Sequence, residues 1–295
     1  MVDYVYECVA KILCSANIEY VKWDMNRQLT DLGSIDLPAD RQGELYHRYV
    51  LAVYALQERL TKEFPHLLLE NCSGGGARFD PGMLYFGPQI WCSDDTDAIE
   101  RLEIQEGTSL IYPLSTMGAH VSDCPNHTVG RVTPFETRGI VALAGTFGYE
   151  LDLNLLTEEE KEQVREQIKN YHRFEMLIRQ GRYYRLTDVW QKKEYAAWEY
   201  CRPDGSEALV TVVTLNTQCN PATEYVKLRG LGEDKKYRVE VVGMQTGGEN
   251  GQRINGTPNA VEPEYYTGAQ LVYAGVPVPR LGNEYKSWQV YVKEV

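Results

Sequence analysis

The chain has 295 residues, 43% of them hydrophobic and 24% charged, with a formal net charge of −12. That length allows two domains with substantial apolar cores, while the acidic balance argues against nucleic acid or an anionic membrane as partner, and no apolar run approaches the ~20 residues that span a bilayer. Seven cysteines without a CxxC pair, and a start Met1-Val2-Asp3-Tyr4 without a basic leader, fit a reducing, cytoplasmic setting better than a disulfide scaffold or a structural zinc site.

Apolar residues at helical spacing (Val5, Val9, Ile12) predict a first helix over residues 4–15. It leads into a short run, Ile18 to Val21, that reads as a buried strand. A long amphipathic helix follows over residues 44–64 and is stopped by Pro65. Leu67-Leu68-Leu69 reads as an apolar strand ended by Asn71-Cys72-Ser73-Gly74-Gly75-Gly76, and residues 88–91 as another, followed by a helix over 96–105. A strand is expected at 109–114, an irregular polar segment at 122–131, a helix at 135–143 and a strand at 146–151. Thr157 with Glu160 three residues on forms a capping box that opens a helix running to Arg179. Short apolar strands alternating with helices indicate parallel β/α units, five of them before residue 182.

Near Gly181 the composition changes to Gly, Pro and short β-rich runs at 195–201, 208–215, 225–228, 237–242, 270–273 and 287–292. Pro203-Asp204-Gly205-Ser206 is a hairpin turn between the first two. Val210 and Val212 interrupt the alternation of Leu209, Thr211, Val213 and Leu215, which suggests strands covered on both faces. An all-β tail, built as an antiparallel sandwich, is expected.

Polar residues cluster where predicted strands end: Lys22-Trp23-Asp24-Met25-Asn26-Arg27 after the first and Trp91-Cys92-Ser93-Asp94-Asp95-Thr96-Asp97 after the third. Strand C-terminal ends are where an α/β barrel keeps its chemistry. Two carboxylates brought together from different strand ends suggest glycoside hydrolysis. By spacing alone Asp94, Asp95 and Asp97 are equal candidates for the second acid, because acids at a helix start also serve the helix dipole. Asp24 has a structural alternative as ion-pair partner of Lys22 or Arg27, Arg78 as partner of Asp80, Trp91 as core, and Asn26 as a turn residue. The triple glycine lacks the Lys-Ser/Thr of a phosphate loop. His120, Asp123, Cys124 and His127 fit no common metal spacing, and no cofactor is called for. Tyr183, Tyr184, Trp190 and Trp198 read as core or domain-contact aromatics.

Together the blocks Lys22–Arg27, Glu70-Asn71-Cys72-Ser73-Gly74-Gly75-Gly76-Ala77-Arg78-Phe79-Asp80 and Trp91–Asp97 resemble, in order and spacing, the signatures of family 36 α-galactosidases. The resemblance implies a retaining mechanism, with Asp24 as nucleophile and Asp94 as general acid/base. It further implies that Lys22, Asn26, Cys72, Gly75, Arg78 and Trp91 contact the sugar. Residues 1–182 then form part of a (β/α)8 barrel, about five β/α units, and residues 183–295 an antiparallel β domain. Retention requires the two carboxyl groups ~5–5.5 Å apart, one ionised and one protonated.

Members of that family have an N-terminal β domain and three barrel strands before the nucleophile strand, whereas only one helix precedes it here. A C-terminal portion of a longer protein is therefore expected, since five strands do not close a barrel of eight. The implied substrate is an α-galactoside such as a raffinose-family oligosaccharide, and related enzymes are often tetramers. The alternatives are a non-catalytic remnant, a transglycosidase, and an α-N-acetylgalactosaminidase.

Overall fold

The computed structural model describes residues 1–27, 29–191, 193–219, 223–242, 264–278 and 283–295. Backbone contacts divide the chain into two compact units, residues 1–94 with 116–118, and residues 95–115 with 119–295.

The first unit begins with α1 (Val2–Leu13), then β1 (Tyr20–Asp24), α2 (Glu44–Glu63), β2 (Leu68–Cys72), α3 (Pro81–Phe86) and β3 (Gln89–Ile90). The three strands form a parallel sheet in the order β1-β2-β3, and Met117 extends it by a parallel bridge to Ile90. Parallel neighbours need a crossover, and α2 and α3 supply the two connections. One face of the sheet, with Val21, Trp23 and Leu69, packs against Leu13, Leu56 and Leu60 of α1 and α2. Beside this cluster the buried Gln57 amide donates to Asn71 Oδ1 at 2.8 Å, tying α2 to β2. β1 starts two residues later than expected and is not a buried strand, because Tyr20, Lys22 and Asp24 on its other face are exposed. α3 was not anticipated, although Asp80-Pro81 marks it. Asp80 accepts the Met83 amide at 2.9 Å, and proline suits the first helical position.

Further along lie α4 (Glu100–Ser109), β4 (Gly118–Ser122), α5 (Phe135–Ala142), β5 (Thr146–Glu150) and α6 (Glu158–Gln180). The strand expected at 109–114 is absent: Ser109 closes α4, and Leu110 and Ile111 are 61% and 80% exposed. Its place is taken by β4, whose small residues carry little strand signal but whose Ala119 and Val121 are buried against Phe135 and Ala142. β4 pairs with β5. The capping box of α6 forms as expected, with Thr157 Oγ1 accepting the Glu160 amide at 3.2 Å and Glu160 accepting the Thr157 amide at 2.9 Å.

After α6 come β6 (Arg182–Arg185), β7 (Tyr195–Cys201), β8 (Glu207–Thr214), β9 (Tyr225–Val226), β10 (Lys236–Val242), β11 (Glu264–Thr267), β12 (Val276–Pro277) and β13 (Ser287–Glu294). A six-stranded antiparallel sheet runs β11-β10-β13-β8-β7-β6, and β12 pairs with β9. Val226 and Val276 of the small sheet share one core with Val210, Val212, Trp288 and Val290 of the large one. The opposite face carries Tyr200, whose hydroxyl donates to Ala144 O, and Tyr291, whose ring meets Phe174 of α6 at 5.3 Å. Cover on both faces explains why all of β7 and the middle of β8 are buried. The expected turn joins them, with Gly205 at φ +71° and Asp204 accepting the Ser206 amide at 2.9 Å. The run at 270–273 is not a strand but a helical turn, Gln270–Ala274. Thr267 and Gln270 cap one another at its start, and Gly275 ends it at φ +87°. Trp198 is core as expected, whereas Trp190 is 43% exposed.

Candidate active site

Directly paired residues of a parallel sheet share a face, and each strand returns to that face every second residue. Lys22 stands opposite Glu70, Asp24 opposite Cys72, and Gln89 opposite Glu70. Trp91 continues β3 on this face, with its amide donating to Asn71 O at 2.9 Å. The face turned away from α1 and α2 is therefore polar, and it is built in layers.

In the lowest layer the Tyr20 hydroxyl donates to Glu70 Oε2, and the Gln89 amide donates to the same oxygen at 3.1 Å and to the Tyr20 hydroxyl at 3.2 Å. Above it the Lys22 ammonium lies 4.9 Å from the centre of the buried Trp91 ring, a cation–π contact. The top layer holds Asp24 from the end of β1, Cys72 from the end of β2 and Asp94 from the loop after β3. The Cys72 thiol donates to Asp94 Oδ1 at 3.9 Å. Burial pushes this thiol above its usual range; a hydrogen bond from the Gly75 amide opposes the rise, and a hydrogen bond to Asp24 adds to it. A buried, hardly ionised thiol is a poor nucleophile; Cys72 instead donates to the exposed Asp94 and stands beside the exposed Asp24 across the strand pair.

The surrounding loops fix this layer. Asn26 donates its side-chain amide to Asp24 Oδ2 at 2.9 Å and accepts the Gly74 amide on Oδ1 at 2.6 Å. The Gly76 amide donates to Cys92 O at 3.0 Å. Gly75 has φ +80°, and a β-carbon on it would lie 2.6 Å from Ser93 Cα; only glycine fits between these backbones. Arg78 does not pair with Asp80. Its Nη1 and Nη2 donate to the carbonyls of Met25 and Arg27, while Asp80 accepts the Tyr54 hydroxyl at 2.7 Å. Asp24 accepts from Asn26, and among the described residues neither Lys22 nor Arg27 forms an ion pair with it.

The two neighbouring acids make other contacts. Asp95 Oδ1 accepts the Asp97 amide at 2.9 Å. Asp97, 2% exposed, is paired with Arg131 and accepts the amides of Ile99 and Glu100 at 3.0 Å. His120 faces Glu150 at 3.3 Å, and His127 is exposed. Among the described residues no group of three His, Cys, Asp or Glu side chains is placed to hold a metal ion, and no helix is long and apolar enough to cross a membrane.

The layer of Tyr20, Glu70 and Gln89 was not singled out from the sequence. Its signal was present, since Glu70 opens one signature block and Tyr20 stands two residues before Lys22 on the same strand.

Residues 1–181 match the family model for melibiase, and residues 195–292 match that for the glycosyl hydrolase family 36 C-terminal domain. The bifunctional α-galactosidase/sucrose kinase AgaSK of Mediterraneibacter gnavus is 48% identical over 99% of this chain and 28% of its own length. The α-galactosidase AgaA of Geobacillus stearothermophilus is 45% identical over 99% of this chain and 37% of its own. The solved galactosidase domain of AgaSK superposes with a TM-score of 0.87 at 48% identity, covering 100% of this chain and 37% of that one. A substituted AgaA in complex with raffinose gives 0.88 at 44% identity, covering 100% and 38%. The chain thus spans well under half the length of these relatives.

Proposed function

Since the chain belongs to glycosyl hydrolase family 36, we propose that it carries the reacting carboxylates of a retaining α-galactosidase, Asp24 as nucleophile and Asp94 as general acid/base. The observation that carries this reading is that Cys72 stands between the two carboxylates, its thiol donating to Asp94 at 3.9 Å and its strand position paired directly with Asp24. They arrive from different strands of one parallel sheet, with Lys22 and Trp91 beneath them. In the first step Asp24 attacks the anomeric carbon and the glycosidic bond breaks as Asp94 gives its proton to the leaving oxygen. In the second, Asp94 takes a proton from water, which attacks the same carbon and releases Asp24. Two inversions leave galactose with the α configuration.

Lys22, fixed over Trp91, donates to a sugar hydroxyl, and the Cys72 and Gly75 positions let the ligand approach the loop closely. Asn26 holds Asp24 and lies within reach of the same sugar. The substrate class is an α-linked galactoside oligosaccharide; a substituted AgaA has been solved with raffinose and another with stachyose. Residues 1–182 are assigned to five β/α units of a (β/α)8 barrel and residues 183–295 to an antiparallel β-sandwich domain. The parallel order β1-β2-β3, the antiparallel sheet after α6 and the bounds of the two family matches support this assignment.

The test is the first anomer released from an aryl α-galactoside, read by proton NMR, with Asp24→Asn and Asp94→Asn beside the wild type. The α anomer is expected first. Asp24→Asn should lose turnover of every α-galactoside. Asp94→Asn should lose raffinose far more than activated aryl galactosides, with azide yielding α-galactosyl azide. The β anomer first, or undiminished turnover by Asp24→Asn, overturns the mechanism.

A further inference from the structure

We propose that Arg78 is a positioning residue that sets the Asp24 carboxylate, rather than a contact to the sugar. Both outer nitrogens of the guanidinium are committed to main-chain carbonyls, Nη1 to Met25 O and Nη2 to Arg27 O. Nε is closed off from solvent and has no hydrogen-bond partner among the described residues. A planar fork gripping two carbonyls is a task for arginine, because its donors are fixed relative to each other and it stays charged at every relevant pH.

The two carbonyls flank one residue, Asn26. Its side chain holds Asp24 Oδ2 at 2.9 Å and the Gly74 amide at 2.6 Å. Met25 itself is tied to β2 through its amide on Cys72 O at 3.0 Å. Fixing the peptide units on both sides of Asn26 therefore fixes the amide that orients Asp24. The span bridged by Arg78, 51 to 53 residues of sequence, joins the loop after β1 to the loop after β2. The second loop is in turn locked to the third, since the Gly76 amide donates to Cys92 O and Gly75 leaves no room beside Ser93. Arg78 is thus the cationic link of a brace through all three strand-end loops. An acid held in this way keeps its place before substrate arrives, which is what a nucleophile attacking at a fixed angle needs.

The kinetic part of the test rests on the α-galactosidase reading; the structural part does not. Arg78→Lys and Arg78→Ala are compared with the wild type by hydrogen exchange of the Met25–Arg27 segment and by turnover of an aryl α-galactoside. Thermal melts show which variants remain folded. Lysine reaches one carbonyl but not both, so Arg78→Lys keeps the charge and loses the fork. The expected result is exchange at Met25 faster by about tenfold or more. With it, kcat falls about a hundredfold, as for an ångström-scale misplacement, while KM stays within about twofold. Added guanidinium should restore part of kcat to Arg78→Ala. A sugar contact would instead raise KM and leave the exchange of this segment unchanged, and that result overturns the proposal. Should Arg78→Ala unfold, Arg78→Lys decides by the same two readings. Turnover is read with the chain joined to the rest of a family 36 barrel; no turnover there counts against the α-galactosidase reading, and the exchange comparison still judges the brace.

Discussion

Replacing Gly75 by alanine tests whether the geometry of the loops is what holds the two carboxylates in place. At φ +80° a β-carbon is strained whatever the space around it, by about 1–2 kcal/mol. It would also lie 2.6 Å from Ser93 Cα, 3.0 Å from Ser93 N and 3.1 Å from Cys92 O. All three are backbone atoms, so no side-chain rotation relieves the contact. Ordinary contact begins at 3.4 Å, so the two loops must part by roughly 0.8 Å, and overpacking of this kind adds about 1–3 kcal/mol. The sum is a destabilisation of about 2–5 kcal/mol. Because Ser93 precedes Asp94, the same shift moves the acid relative to Asp24, with a rate loss on the order of 10²-fold. Gly74→Ala is the internal control: its φ is +60°, but the nearest atom to its β-carbon is 3.9 Å away, so it carries the strain without the collision. Urea melts give the stabilities, and kcat on raffinose against an activated aryl galactoside gives the chemistry. Gly75→Ala should be the less stable by the overpacking term and should lose raffinose more than the aryl substrate. Equal stability and equal rates for the two variants would refute the steric reasoning.

Glu199 lies fully buried in β7, with Oε2 accepting the Arg229 amide at 2.8 Å and Oε1 without a hydrogen-bond partner among the described residues. Burial raises its carboxyl to about 8 from 4.5, so its contribution to stability is fully present below about pH 4.5 and is lost as pH rises to about 8. Glu199→Gln should remove up to about 5 kcal/mol of that fall; parallel stability–pH curves for the two proteins would contradict it. Asp97→Asn leaves Glu100, at 3.1 Å, as the remaining ion-pair partner of Arg131 among the described residues. It should lower stability by about 3 kcal/mol in denaturant melts, with turnover per folded molecule unchanged, unlike Asp94→Asn. Thr157→Ala removes the cap of α6 and should cost about 1 kcal/mol, read as a fall in thermal midpoint without change in KM.

Much of this protein is written in short-range pattern. The capping box at Thr157 and Glu160, the Asp204-Gly205 turn and the apolar run of β8 form as their spacing predicts, because each depends on neighbours within a few residues. The strand-end clusters around Asp24, Cys72 and Asp94 were legible for the same reason, as polar residues closing apolar runs. Their roles were not. Asp97 and Asp94 stand three residues apart in equivalent composition, and only the fold shows that Asp97 is paired with Arg131, 34 residues downstream. From the sequence Arg78 reads as a sugar contact or a partner of Asp80, and only the fold places it on the carbonyls of Met25 and Arg27, more than 50 residues away. The same limit misplaced two strands. Leu110 and Ile111 are apolar but exposed, while Gly118 and Ala119 carry no strand signal and are buried. Local propensity is a bias of tenths of a kcal/mol per residue, and burial against a distant element outweighs it. Partners far apart in sequence leave no mark in one chain's spacing, so which acid is ion-paired, which carbonyls an arginine grips and which run becomes a strand were decided only when the chain was packed.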